Sequence, residues 1–217
     1  MKFLVFLLFM LSIYLPCQAQ NSRETIHSSM HPIFVAAGED AGLCTAYAVG
    51  PRTIAIAEHC LGDKPKELET ILFIVDYKDG NGQFATNADV VLDGNDHALV
   101  VLEDVGLGGS KEFKGFTTWV HDAFPAYTPR QGERVVMWGA PMAIQCRDCY
   151  REGYFSGWAR SDFRDIMWFQ ISGEPGDSGS FIFTEDGRLV AELSVGLPGF
   201  VGCLGFGFTA ADVQRIK

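Results

Sequence analysis

The chain has 217 residues, a hydrophobic content of 47% and a formal net charge of −10 at pH 7. This apolar content is typical of a folded protein and excludes a disordered chain. The acidic balance disfavours nucleic acids and anionic membranes as partners, because both repel a negatively charged surface.

The N-terminal segment has the pattern of a secretory signal peptide. Lys2 supplies a positive start, an apolar run covers 3–15, and Cys17 and Ala19 are small residues at the positions that a signal peptidase reads. The run is short for a transmembrane helix, although an uncleaved membrane anchor is the alternative. We therefore predict a signal peptide over 1–19, a secreted or periplasmic protein, and no membrane contact once the signal is removed.

Short β-strands dominate the rest of the chain. Runs rich in Val, Ile, Phe, Tyr and Trp alternate with turn residues. Between 181–183 and 189–191, Glu185-Asp186-Gly187 predicts a hairpin turn. A short C-terminal helix is predicted at about 210–216. So many strands with almost no helix imply an all-β sandwich or barrel. The predicted strands cover 32–37, 43–49, 53–57, 68–77, 87–92, 97–102, 116–120, 134–139, 152–159, 166–171, 180–184, 188–195 and 203–208.

One glycine-flanked turn offers a candidate nucleophile. Gly176-Asp177-Ser178-Gly179 lies just before the apolar run 181–183. A serine needs an imidazole to take its proton, a carboxylate to orient that imidazole, and N–H donors for the oxyanion. In so tight a turn, the N–H groups of Gly176 and Ser178 are the candidate oxyanion hole. Taken alone, this sequence is more often an ordinary surface turn.

Candidate partners for Ser178 lie earlier in the chain. His59 follows the apolar run 54–57, and Asp96 is the last acid before the apolar run 98–102. Each has an ordinary alternative, as a loop histidine and as an exposed turn carboxylate. The chain order His, Asp, Ser nevertheless matches one of the known orders of catalytic triads.

Together these motifs resemble the chymotrypsin-like (trypsin-like) serine protease family, in its bacterial-type branch. Ala57-Glu58-His59-Cys60 is similar to the family's histidine motif, Asp96-His97-Ala98-Leu99 to its aspartate motif, and Gly176-Asp177-Ser178-Gly179 to its nucleophile motif. Glu58 and His97 depart from the residues usual at their positions. The resemblance covers about 32–216, and we expect a single protease unit without a PDZ-like domain.

The resemblance implies two six-stranded antiparallel β-barrels with the active site between them. It places the first barrel lobe at 32–103, an inter-lobe connection at 104–115, and the second lobe with its C-terminal helix at 116–217. Residues 20–31 precede them as an N-terminal arm or a pro-segment, a choice that the sequence leaves open.

The roles of the three residues follow from the same resemblance. Ser178 attacks the scissile carbonyl, His59 acts as base and then as acid, and Asp96 stays ionised. Such an enzyme needs no metal and no cofactor, and its partner is a polypeptide substrate. We expect a monomer.

The resemblance also implies a specificity pocket. Ser172, six residues before Ser178, falls at its base, and the absence of an acid there disfavours a preference for Arg or Lys. We predict an uncharged, small or medium P1 side chain. The substrate would pair with a strand edge at 194–196. The predicted substrate-binding residues are Ser172, Ser194, Val195, Gly196, Phe206 and Gly207.

Five cysteines follow the signal peptide, which leaves one unpaired or paired between chains. The resemblance implies a Cys44–Cys60 disulfide that pins the histidine loop. For the others we favour a bridge from Cys146 or Cys149 to Cys203 over a redox motif or half a zinc site.

Activation is where the sequence departs from many family members, in which a freed Ile or Val amine pairs with the acid before the nucleophile. That acid is Asp177 here, but His31-Pro32-Ile33-Phe34 offers no basic cleavage site. We therefore expect activity without this switch and another partner for Asp177. The alternative function is a protease-fold binding protein that lost catalysis, although all three candidate positions are filled.

Overall fold

The computed structural model describes residues 22–63, 65, 70–75, 82–106, 112–120, 127–142, 149–161, 164–196 and 202–206. Within these ranges, twelve strands form two closed six-stranded antiparallel barrels. The predicted all-β class and two-barrel architecture are therefore confirmed. The predicted signal peptide (1–19) and C-terminal helix (210–216) lie outside the described residues.

The first barrel closes in the strand order β1-β2-β3-β6-β5-β4. Strand β6 is buried along most of its length because both of its faces are covered. Ala98, Val100 and Leu102 point into the barrel core, and Leu99 packs in the cluster between the barrels. The strands are β1 (Met30–Ala37), β2 (Asp40–Gly50), β3 (Thr53–Ala57), β4 (Thr70–Val75), β5 (Gly82–Leu92) and β6 (His97–Asp104).

The second barrel repeats this topology in the order β10-β11-β12-β9-β8-β7. The predicted hairpin is confirmed: β10 and β11 pair across a turn in which Gly187 has a φ of 84°. Only glycine adopts that conformation without a steric penalty. The strands are β7 (Arg134–Gly139), β8 (Cys149–Ser161), β9 (Arg164–Gln170), β10 (Phe181–Thr184), β11 (Leu189–Gly196) and β12 (Cys203–Phe206).

An aromatic cluster joins the two barrels. Tyr47 of β2 stacks on Phe181 of β10 with ring centroids 4.4 Å apart, and its hydroxyl donates to the carbonyl of Trp138 at 2.8 Å. Burial raises the pKa of Tyr47 well above 10, so the hydroxyl stays a donor. Each buried ring contributes about 1.5–3 kcal/mol of transfer free energy, which holds the barrels in a fixed relation.

A short helix, α1 (Arg23–Ser29), occupies part of the predicted N-terminal arm. The side chain of Ser22 caps it by accepting the N–H of Thr25 at 3.0 Å, and Ile26 packs in the cluster between the barrels. Two turns are too short to show an apolar stripe in the sequence, so the helix was not predicted. Among the described residues, no helix is long and apolar enough to cross a membrane.

The strand predicted over 116–120 is wrong, because these described residues form no strand. Phe116 donates its N–H to Pro51 and Val120 donates to Ala48, at 2.7 and 2.9 Å, outside any ladder. Their apolar side chains imitate a strand pattern because the connection is packed against both buried clusters. The other twelve predicted strands are present within the described residues, and the ladders extend some of them, such as 82–92 for the predicted 87–92.

Candidate active site

His59 lies on a single turn of 3₁₀-helix, Glu58–Leu61, that follows β3 directly. The adjacent Cys60 forms a disulfide with Cys44 of β2, with Cα atoms 6.4 Å apart. This confirms the predicted pairing. The covalent link fixes the histidine turn to the neighbouring strand and limits its motion.

Asp96 ends the turn before β6 with a backbone φ of 64°. This left-handed conformation is unfavourable for a residue with a side chain unless its surroundings impose it. The carboxylate of Asp93 accepts the N–H of Asn95 at 2.6 Å and that of His97 at 3.3 Å, on either side of Asp96. The carbonyl of Asp96 accepts the N–H of Glu58 at 2.9 Å. These contacts hold the turn beside the histidine.

The imidazole of His59 and the carboxylate of Asp96 are hydrogen-bonded. His59 Nδ1 lies 2.9 Å from Oδ2 and 3.0 Å from Oδ1 of Asp96, and the backbone N–H of His59 donates to Oδ1 at 3.0 Å. The hydroxyl of Ser194, on β11, donates to Oδ2. A carboxylate of the first barrel thus receives a hydrogen bond from the second barrel.

These contacts set the charge of both groups. The hydrogen bond to Asp96 raises the pKa of His59 above its ordinary value of 6.5; partial burial opposes this, and the charge of Asp96 adds to it. Burial alone raises the pKa of Asp96, but the hydrogen bonds from His59 and Ser194 outweigh it and bring the pKa below 3.8. At neutral pH Asp96 is therefore ionised and can stabilise a proton on His59.

Ser178 lies in a turn that Thr45 of the first barrel holds. Thr45 donates its N–H to the carbonyl of Ser178 at 2.9 Å and its hydroxyl to the carbonyl of Gly176 at 2.8 Å. A Cβ on Gly179 would lie 2.1 Å from the carbonyl oxygen of Thr45 and 3.2 Å from the nitrogen of Ala57, two residues before His59. The turn therefore packs against the end of β3, beside the histidine turn.

Ser178 is half-buried, and its hydroxyl is the candidate nucleophile. Within the described chain it makes no hydrogen bond to His59, nor do the N–H groups of Gly176 and Ser178 donate to any protein atom. The hydrogen bond between a nucleophile and its general base often shortens only when substrate binds. The oxyanion-hole role of Gly176 and Ser178 stays a prediction.

Arg151 of β8 is the partner of Asp177. Both terminal nitrogens of Arg151 donate to the carboxylate of Asp177, which is fully buried, and the N–H of Glu174 donates to the same carboxylate at 2.7 Å. Arg151 Nη1 also donates to the carbonyl of Ser172 at 3.1 Å. The sequence motifs missed Arg151 because nothing around it marks it, although a buried acid beside Ser178 called for a cation.

The predicted substrate residues are only partly described. Ser172 is half-buried after β9, and Val195 on β11 is exposed. The Ser194 side chain contacts Asp96. Gly196 ends β11, Phe206 ends β12, and Gly207 lies outside the described residues. The substrate-binding role of these six residues stays a prediction.

The remaining cysteines are only partly described as well. Cys149, the first residue of β8, is disulfide-bonded. Cys146 lies outside the described residues, as does the side chain of Cys203. The predicted bridge to Cys203 therefore stays a prediction.

Two closed barrels, with a His–Asp pair on the first and a Gly-Asp-Ser-Gly turn on the second, define the class of chymotrypsin-like serine proteases. Residues 44–191, more than half of the chain, match the family described as the trypsin-like peptidase domain. The chain belongs to this family.

Solved structures share the fold at low sequence identity. The thermostable serine protease AL20 from an extremophilic microorganism is 18% identical, with a TM-score of 0.61 over 88% of this chain and 95% of that one. The Rv3671c protease from M. tuberculosis, in its active form, is 17% identical, with a TM-score of 0.60 over 88% and 80%. The MamO protease domain from Magnetospirillum magneticum is 16% identical, with a TM-score of 0.61 over 90% and 99%. No curated protein sequence matches the chain significantly.

Proposed function

We propose that this chain is an exported serine endopeptidase that hydrolyses peptide bonds through an acyl-enzyme on Ser178. The observation that carries the proposal is the hydrogen bond between His59 Nδ1 and Asp96. This bond fixes the imidazole tautomer in which Nε2 is free to accept the proton of a serine hydroxyl. Membership of the trypsin-like peptidase family supports the same reaction class.

In the proposed mechanism Ser178 attacks the scissile carbonyl while His59 takes its proton. The negative charge of Asp96 stabilises the imidazolium that forms, and the raised pKa of His59 reflects that stabilisation. His59 then gives the proton to the leaving amine. Water attacks the acyl-enzyme in the second half of the reaction, with His59 again acting as the base.

The proposed oxyanion hole consists of the N–H groups of Gly176 and Ser178. Donors that are already oriented stabilise the developing charge without reorganising. The ion pair between Asp177 and Arg151 supports this orientation, because it anchors the residue between the two donors to β8. No freed N-terminal amine is needed in this arrangement.

The substrate backbone is proposed to add to β11. β10 pairs with β11 only as far as Glu192, whereas β12 pairs with the other edge of β11 up to Gly196. Within the described residues, one edge of 194–196 therefore has no neighbouring strand. An extended peptide gains affinity there through main-chain hydrogen bonds. Val195, exposed beside this edge, contacts the peptide.

A preference for an uncharged P1 residue is part of the proposal. Ser172 carries no charge, and the guanidinium that donates to its carbonyl is neutralised by Asp177. The pocket base thus offers no counter-ion for a charged side chain, whose desolvation would go uncompensated. A small or medium apolar or neutral side chain avoids that cost.

Export is proposed from the N-terminal pattern of the sequence and is supported by the Cys44–Cys60 disulfide, since such bonds persist in oxidising compartments.

Cleavage of a peptide library tests the proposed activity and the pocket together. The mature chain should cut after uncharged, small or medium residues, and Ser178→Ala should cut nothing. A folded wild-type chain that binds peptides without cleaving any would favour the alternative, a binding protein with a protease fold.

A further inference from the structure

Behind the Asp96 carboxylate lies a second group of ionisable side chains, formed by Asp93, His97 and Glu192. His97 Nδ1 lies 2.8 Å from Asp93 Oδ2, and His97 Nε2 lies 3.8 Å from Glu192 Oε2. The side chains of His97, Asp93 and Glu192 are 3%, 6% and 1% exposed. His97 begins β6 of the first barrel and Glu192 lies on β11 of the second, so the group spans the interface.

Asp93 and His97 act on the backbone around Asp96. The Asp93 carboxylate accepts two N–H groups and the imidazole of the same turn, and the N–H of Asp93 donates back to the carbonyl of His97 at 3.3 Å. These bonds close the turn on both sides of Asp96, whose positive φ needs support from its surroundings. The imidazole of His97 therefore anchors the acid that retains Asp96 in position.

Glu192 is the unusual member of the group. Both of its carboxylate oxygens are buried without a hydrogen bond among the described residues. The ionisable groups that act on it are Asp96 and Asp93, both acids, together with His97. The strand positions across from Glu192 and His97 hold Phe181 and Ala57, which carry no charge. Burial raises the pKa of Glu192 well above 4.5, and the charges of Asp96 and Asp93 raise it further.

We propose that Asp93, His97 and Glu192 form a buried positioning cluster, in which Asp93 and His97 hold the Asp96 turn in place and Glu192 retains its proton beside them. The inference rests on the proposed function, since it assigns the cluster to the carboxylate that orients His59. None of the three residues touches substrate in this account. They act through Asp96.

The protons of the cluster are balanced as follows. Asp93 is ionised and accepts the Nδ1–H of His97, and one further proton resides on Glu192 as a neutral acid. This arrangement has a net charge of −1. Loss of that proton would put a second negative charge in the interface next to ionised Asp96, and buried like charges repel strongly. His97 Nε2 and Glu192 Oε2 lie 3.8 Å apart, beyond hydrogen-bonding distance. Because no hydrogen bond from His97 stabilises a charged carboxylate, the neutral acid is favoured on Glu192.

The cluster is not arranged to bind a metal. Among the described residues, no group of three or more His, Cys, Asp or Glu side chains could hold an ion.

The retained proton is tested by the pH dependence of stability. Above pH 4.5 the unfolded chain releases the proton of Glu192 while the folded chain keeps it, so folding becomes less favourable as pH rises toward the folded-state pKa. The Glu192→Gln variant has no proton to release at this position, so its free energy of folding lacks this pH dependence. Its melting temperature relative to wild type should therefore increase steadily above pH 4.5. Asp89→Asn, which removes an exposed acid from β5, is the matched control and should show a flat difference.

The positioning role is tested by turnover. Asp93→Asn removes the carboxylate that holds the imidazole, and His97→Leu removes the imidazole. Each should lower kcat per titrated active site about tenfold or more, with KM within about twofold, because a small displacement of a catalytic group is costly.

Two results would overturn the inference. A Glu192→Gln stability difference that does not change with pH contradicts the retained proton. Wild-type kcat in both Asp93→Asn and His97→Leu contradicts the positioning role. These outcomes are distinct from failure of the proposed function, which would appear as absence of turnover in the wild-type chain, and the stability measurement needs no turnover.

Discussion

Arg151 and Asp177 form a bidentate ion pair directly beside Ser178. Both terminal nitrogens of Arg151 donate to a carboxylate that is wholly buried. The Cβ of any residue larger than glycine at Gly139 would lie 2.3 Å from Asp177, so β7 leaves room for the pair. The pair ties the loop of the candidate nucleophile to β8 of the second barrel.

Breaking this pair should inactivate and destabilise the protein. Arg151→Met keeps the length of the side chain but leaves Asp177 as an uncompensated buried charge, which costs about 3–5 kcal/mol. We expect a matching loss in the free energy of unfolding in urea and loss of peptide cleavage. Arg134→Met is the control, because the ion pairs of Arg134 with Glu152 and Glu185 are exposed. Wild-type stability and activity in Arg151→Met would contradict the account.

The hydroxyl of Ser194 should matter for turnover more than for substrate affinity. Ser194→Ala removes a hydrogen bond to ionised Asp96, and such bonds are worth about 1.5–3 kcal/mol. We expect kcat to fall about tenfold while KM changes little, as measured by steady-state kinetics on a peptide substrate. Ser156→Ala, a half-buried serine on β8, should leave both constants unchanged. An increase in KM alone would instead assign the Ser194 side chain to substrate binding.

Gly179 should tolerate no side chain. Its φ is 87°, and a Cβ would lie 2.1 Å from the carbonyl oxygen of Thr45. Gly132 has a similar φ of 82° but open space around it. Gly132→Ala therefore reports backbone strain alone, about 1–2 kcal/mol, whereas Gly179→Ala should lose more stability and also activity. Equal destabilisation of the two variants in urea titrations would show that the Thr45 contact is unimportant.

Activity should fall on the acid side as His59 becomes protonated. The pKa of His59 is raised above 6.5 by its bond to Asp96, so the decline in kcat/KM should be centred above 6.5. Asp96→Asn removes the charged partner, so the residual activity should decline at a lower pH. The free energy of unfolding should change in the opposite direction. The folded state favours protonated His59, and this stabilising contribution is lost as pH rises through the folded-state pKa of His59. A wild-type midpoint below 6.5 would contradict the assignment.

Local sequence predicted the fold and the Cys44–Cys60 disulfide, whereas the catalytic roles of His59, Asp96 and Ser178 stay a prediction. Short β-branched and aromatic runs with turns between them predicted twelve of the observed strands. Cys60, next to His59, forms the predicted disulfide with Cys44. The failures have a common cause. Residues 116–120 are apolar because they cover two buried clusters, and helix α1 is too short to show periodicity.

The residues that support the site could not be predicted for a related reason. Arg151, Thr45 and Glu192 meet their partners only across strands or across the barrel interface. Nothing within a few residues of any of them marks the contact. The sequence shows that His97 departs from the family pattern. The contacts of His97, however, are with Asp93 and with Glu192 of the other barrel, and only the folded structure brings Glu192 close to it.

Modification of Ser178 by a fluorophosphonate probe, followed by intact and peptide mass spectrometry, tests the central claim most directly. The account predicts one adduct per chain, located on Ser178, at a rate that rises with pH as His59 loses its proton. Ser178→Ala should remain unmodified, and His59→Ala should react far more slowly. A folded wild-type chain that stays unmodified, or that carries the adduct on another residue, would contradict it.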